Sequence, residues 1–163
     1  MSKDHVVKLV LEMYQNNKQT REYLEYWLEP NEKEKLEDYR KVIIEEFYPT
    51  RNVLNPKLRF SACKKAITEF RALQPDPPLL ADLLITLPET ACKFTNEFGD
   101  MWEQYYDSAA TNFNIALLYM QKNGLLQTFK KRCENCVKYA EPCGYGFSEE
   151  IGDLYHEYYS DEE

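Results

Sequence analysis

Apolar residues recur at three- and four-residue intervals along most of the chain, the period of an amphipathic helix. Val6, Val7, Val10, Met13 and Tyr14 mark a first helix over residues 4–16. Tyr23, Leu24, Trp27 and Leu28 mark a second over 18–28. Pro30 and Asn31 end it and open a third, and Asn31 with Glu34 three positions on is a variant of the capping box. The third presents Leu36, Tyr39, Ile43 and Phe47. Pro49, Asn52, Asn55 and Pro56 then break the pattern, because proline lacks the donor that a helix interior requires. Residues 49–60 therefore read as a hinge loop, too short for an independent linker.

Ser61 is the expected cap of a fourth helix bearing Cys63, Ala66, Ile67 and Phe70. Asp76 is placed to cap a fifth, with Pro77 at the first helical position, where a missing N–H costs nothing. Leu80, Leu83, Leu84, Leu87, Ala91, Phe94 and Phe98 form its apolar stripe, and Pro88 inside that stripe predicts a kink or a split into two. Gly99 closes it. The sixth runs from about Trp102, shows Tyr106, Ala109, Phe113, Ala116, Leu117 and Met120, and stops at Asn123-Gly124. The seventh carries Leu126, Phe129, Cys133, Cys136, Val137 and Ala140. After a loop over 142–147, Ser148 is the expected cap of a short last helix with Ile151, Leu154, Tyr155 and Tyr158, and the acidic tail 160–163 reads as frayed. No segment alternates with period two. The expected fold is all-α: one domain over 1–163, about eight helices in antiparallel hairpins, with the character of an irregular helical solenoid. Helices 1–3 fall in 1–48 and helices 4–8 in 61–159.

Composition narrows the function classes. At 163 residues and 44% apolar content, the chain is long and apolar enough for one real core. Twenty basic against 28 acidic residues leave a net charge of −8. A nucleic-acid binder needs a basic footprint, and the only cluster is Lys122, Lys130, Lys131, Arg132 and Lys138, which reads as a solvated helix face. Nucleic acid is not an expected partner. Five cysteines are an odd number, and no apolar leader pattern precedes them. The best apolar run, Leu79 to Leu87, contains Asp82 and is too short to span a bilayer. These features point to a reduced, cytoplasmic chain with no membrane partner. No feature sets its oligomeric state.

The most distinctive chemistry lies between Asp76 and Asp107, where seven acids meet the single base Lys93. Its last part alternates acids with aromatics across a turn: Asn96, Glu97, Asp100, Trp102, Glu103, Tyr106 and Asp107. Exposed turn side chains often bind, and aromatic rings beside carboxylates suit a cationic peptide or amine. The same oxygens would suit a hard cation, although the calcium-loop pattern is missing. The plainer alternative is a set of acids favouring a helix N-terminus. Tyr145 and Phe147, in Gly144-Tyr-Gly-Phe147, form a second loop of interest, and there too the plain reading is a turn whose Phe147 packs on the last helix. Cys133-x-x-Cys136, with Cys143 beyond, is half of a zinc pattern, but both cysteines fall on the apolar stripe of their helix. Glu97 and Glu103 as an acid–base pair would require shifted pKa values and a shared geometry. His5 and His156 sit in no metal or catalytic motif. No nucleophile elbow, phosphate loop or dinucleotide fingerprint occurs, no cofactor is indicated, and the reading leans away from an enzyme.

Three stretches resemble a known family: Pro56-Lys-Leu-Arg through Phe70, Phe94-Thr-Asn-x-Phe-Gly-Asp100, and Asn123-Gly-Leu-Leu through Cys133. Gly144–Phe147, Tyr14 and Tyr23-Leu24 are similar too. The family is a bacterial domain of unknown function, and the likeness covers nearly the whole chain. It implies an all-helical protein and assigns no activity. The leading expectation is a non-catalytic module that binds a basic protein or peptide through the 94–107 and 144–147 surface. The alternatives are an enzyme or small-molecule binder with a carboxylate-lined cleft, and a cysteine-ligated zinc protein.

Overall fold

The computed structural model describes residues 1–160. It contains eight α-helices: α1 Lys3–Asn16, α2 Lys18–Leu28, α3 Glu32–Phe47, α4 Phe60–Ala72, α5 Pro77–Phe98, α6 Glu103–Lys122, α7 Leu126–Ala140 and α8 Phe147–Tyr159. No strand occurs among the described residues. The expected tail over 160–163 falls outside them except for Ser160.

The helix ends follow local chemistry. Asn17 ends α1 and caps α2, its side-chain oxygen accepting from the Thr20 amide at 2.9 Å. Asn31 and Asp76 stand at the expected positions before α3 and α5, the latter with proline in the first turn, but neither side chain takes a helix amide. Gly124 takes a left-handed φ of 66° directly after α6, a conformation that costs glycine nothing. Two expected caps move by a residue or two. Arg59, not Ser61, precedes α4, and Gly146, not Ser148, precedes α8. In both cases an aromatic residue, Phe60 or Phe147, starts the helix because it packs inward and draws the first turn with it.

The centre of the fold is α5. Helices α3, α4, α6 and α7 all pack against it, and α8 closes over α6 and α7. Leu83, Ile85, Leu87, Ala91 and Cys92 are fully buried, so α5 is covered on nearly every side rather than along one stripe. Pro88 is buried within it, and the helix runs on without splitting. The N-terminal half of α5 itself supplies aliphatic side chains, Leu80, Leu83, Leu84, Ile85 and Leu87. Around its C-terminal half the core turns aromatic: Phe47 meets Phe60, Phe94 and Tyr105 edge to face at centroid distances of 5.7, 5.9 and 6.2 Å.

Two polar assemblies tie elements that are distant in sequence. Arg132 on α7 donates to Asp82 at 2.8 Å and to Glu89 at 2.8 Å, both on α5, and Arg40 on α3 donates to the same Asp82 oxygen. Thr86 and Asn135 complete this ring. Burial by itself would weaken the Arg132 cation, yet Glu89 and Asp82 hold it firmly charged. This corrects the reading of the 122–138 bases as one solvated face: Lys122, Lys131 and Lys138 are exposed, whereas Arg132 turns inward. The second assembly fastens the 48–59 loop. Glu46, buried on α3, takes both the backbone amide and the guanidinium of Arg59, at 3.1 and 2.7 Å. Those bonds hold its carboxyl below the usual range.

The α1–α2 hairpin is joined to the body through α2, where Glu22 accepts from the Tyr39 hydroxyl of α3 at 3.2 Å. α1 packs on α2 and contributes no buried residue. α2 buries only Tyr26, whose hydroxyl reaches Glu32 at 2.7 Å.

Candidate functional site

The acid–aromatic turn and the 144–147 loop meet in space. Helix α5 ends at Gly99, whose φ of 97° lets the chain reverse toward α6. That reversal brings Asp100 under the α7–α8 loop. One carboxylate oxygen of Asp100 accepts from the Tyr106 hydroxyl at 2.6 Å and from the Gly144 amide at 2.9 Å. The Gly144 amide first, and the Tyr106 hydroxyl next, hold this carboxyl below its ordinary range. The Tyr106 hydroxyl also accepts from the Met101 amide at 3.1 Å and lies 2.9 Å from the Thr95 hydroxyl. Burial, reinforced by Asp100, pushes the phenol up to about 12. Phe147 stacks on the Tyr106 ring at 4.4 Å, and both rings are buried. At Gly144 an added Cβ would come within 3.1 Å of Asp100 Oδ2, so a side chain here would press on the carboxylate and push it slightly aside.

These contacts divide the expected site residues in two. Asp100, Tyr106 and Phe147 form a clasp that joins the α5–α6 turn to the α7–α8 loop. Tyr106 and Phe147 are core residues, not exposed anchors. Asn96 joins the same seam, its amide donating to the Tyr139 carbonyl at 3.1 Å. Glu97, Trp102, Glu103 and Tyr145 remain exposed around it. Asp107 lies a turn further along α6 and faces Glu150 of α8, whose carboxyl is raised by burial and by that charge. Glu97 and Glu103 share no hydrogen bond; Glu97 instead takes the Tyr48 hydroxyl at 2.8 Å and pairs with Lys93.

The feature that sequence reasoning missed is beside the clasp, where the 48–59 loop meets the end of α5. Phe47, Tyr48, Pro49, Val53, Leu54, Pro56, Phe94 and Phe98 line an apolar groove of about 350 Å³. Leu54 at its mouth is fully exposed and Phe98 is 65% exposed. The loop is held open by its own bonds: Glu45 accepts from the amide and hydroxyl of Thr50, and Glu46 fixes Arg59. Tyr48 forms one wall, braced by Glu97 at its hydroxyl and by Lys93 over its ring at 5.5 Å. A chain of ring contacts leads from Phe47 and Phe60 through buried Tyr105 to exposed Trp102. The available signal was Val53 and Leu54 between prolines, apolar residues in a loop where nothing local buries them.

The cysteines are packing residues. Cys133 and Cys136 are fully buried, Cys133 against Met120 at 3.9 Å. Burial pushes Cys133 up to about 11 and Cys136 upward as well, which favours the neutral thiols. Cys143 is half-buried beside Thr95 at 3.6 Å. Among the described residues, no group of three or more His, Cys, Asp or Glu is placed to hold a metal ion. None of the described helices is long and apolar enough to cross a membrane.

Fold and site together define an all-helical domain centred on one buried helix, with an open apolar groove beside an aromatic clasp. The chain belongs to the family of unknown function DUF6155, whose model matches residues 1–152. No curated protein and no solved structure matches it.

Proposed function

We propose that this protein is a non-catalytic binding module whose docking site is the groove between the 48–59 loop and the end of α5. The observation that carries this reading is the groove itself. Its apolar rings and side chains stand open to water with Leu54 and Phe98 at the mouth, while the loop that shapes it is hydrogen-bonded in place. An apolar cleft preorganised in this way avoids much of the ordering cost of binding. The occupant that fits is a peptide segment with one bulky apolar side chain for the groove and flanking basic residues. Glu97 and Glu103 rim the α5–α6 side, and the net charge of −8 attracts a basic partner from a distance. Exposed Trp102 and Tyr145 extend the contact surface beside the clasp.

The test is peptide display panned on the purified protein, followed by titration of enriched peptides against wild type and Phe98→Ala. Trp102 serves as the fluorescent reporter once Trp27→Phe has removed the other tryptophan. Enriched peptides are expected to pair a large apolar residue with Lys or Arg. Phe98→Ala should weaken them about tenfold or more, the scale of a lost aromatic anchor. Raising salt should weaken them further. Equal affinity for the variant, or binding that ignores salt, would contradict the reading.

A further inference from the structure

The α1–α2 hairpin carries a second apolar surface, separate from the groove. Val6, Val7, Leu9, Val10, Leu11 and Met13 are each between 40 and 54% exposed, and Trp27 on α2 is 69% exposed. The surface is continuous across the two helices and reaches the body: Val10 and Met13 of α1, with Thr20, Tyr23 and Leu24 of α2 and Ala72 at the end of α4, line one depression of about 420 Å³. A helix whose apolar face stays open is unfinished, because the burial that stabilises helices in proteins is missing.

Charge identifies the occupant. Residues 1–28 contain four basic and four acidic side chains, so the arm is neutral. The whole net charge of −8 therefore resides in the rest of the chain. Residues 29–60 balance as well, with seven basic and seven acidic side chains, so the −8 is concentrated in 61–163, and two copies that meet through the arm keep those acidic surfaces apart. Area sets the demand: a standard interface buries ~800 Å² per partner, which would draw on most of the exposed apolar side chains of α1 and α2. We propose that the arm is a homodimerisation element, two α1–α2 hairpins packing face to face about a two-fold axis into an intermolecular four-helix bundle. Such an isologous contact places the same apolar patch on both sides, and it closes without further growth.

Sedimentation velocity over roughly 1–100 μM tests this. Wild type is expected to move from 19.4 kDa toward twice that mass with rising concentration. Added salt should favour the dimer, since it screens repulsion between the two acidic bodies. That sign is opposite to the one expected for a basic peptide in the groove. Val10→Glu with Met13→Glu should hold the chain monomeric at the top of the range, with helical circular dichroism retained because neither residue is in the core. Leu54→Glu, which alters the other apolar surface, should dimerise like wild type. A monomer at every concentration and salt would overturn the proposal. So would a dimer that survives the α1 variant or that Leu54→Glu disrupts. None of these results depends on whether the groove binds peptide.

Discussion

α1 and α5 are both amphipathic on paper, and they have opposite fates. Half of α1 is apolar or aromatic, yet none of it is buried; α5 is buried along most of its length. The difference is not in either helix's own pattern. It lies in how many partners reach it: four helices converge on α5, whereas α1 has α2. Periodicity states which face of a helix avoids water. It does not state what covers that face, and an uncovered one marks a place where the chain has contacts still to make.

The comparison breaks first at the core. Phe47 is 1% exposed and joins α3 to the aromatic cluster around α5 and α6, so Phe47→Ala should cost about 3–5 kcal/mol in urea unfolding. Val7→Ala in α1, measured below the concentration of dimerisation, should change stability by less than about 0.5 kcal/mol. Similar costs for the two would mean that the arm belongs to the folding unit after all.

A smaller effect is expected at the polar ring. Arg132→Met leaves Glu89 facing Asn135 without its cation, while Asp82 keeps Arg40. The ring is about a fifth to a quarter exposed, so the loss should be about 2–3 kcal/mol, below that of a fully buried pair. A loss under about 0.5 kcal/mol would mark the ring as a surface decoration.

Acid sharpens the contrast most gently. Asp100 and Glu46 have folded-state pKa values depressed below their unfolded ones. Their contribution is therefore fully present above the ordinary carboxylate range, about 4, and is lost as pH falls through the folded values. The melting temperature should fall below about pH 4, and Asp100→Asn should reduce that dependence. An unchanged acid limb in the variant would remove the clasp from the account.

Much of this was legible beforehand. All eight helices and most of their stops follow from periodicity, proline and glycine, since those signals are local. The readings that moved depend on long-range neighbours. Nothing near Arg132 distinguishes it from Lys131, because what turns it inward is Asp82 and Glu89, more than 40 residues away. A trace did exist, as Asp82, Thr86 and Glu89 share a face at helical spacing. Tyr106 reads both as part of the apolar stripe of α6 and as a surface anchor, and Asp100 as one acid of the turn; that the two bond each other depends on Gly144 approaching from another loop. The groove required knowing that the 48–59 loop folds against Phe94 and Phe98.

The most direct test of the division between body and arm is amide hydrogen exchange read by mass spectrometry at low and high protein concentration. The account predicts slow exchange in α3 and α5–α7 at both concentrations. It predicts fast exchange in α1 and α2 when dilute and clear protection when concentrated. Arm amides as slow as those of α5 in dilute solution, or equally fast at both concentrations, would contradict it.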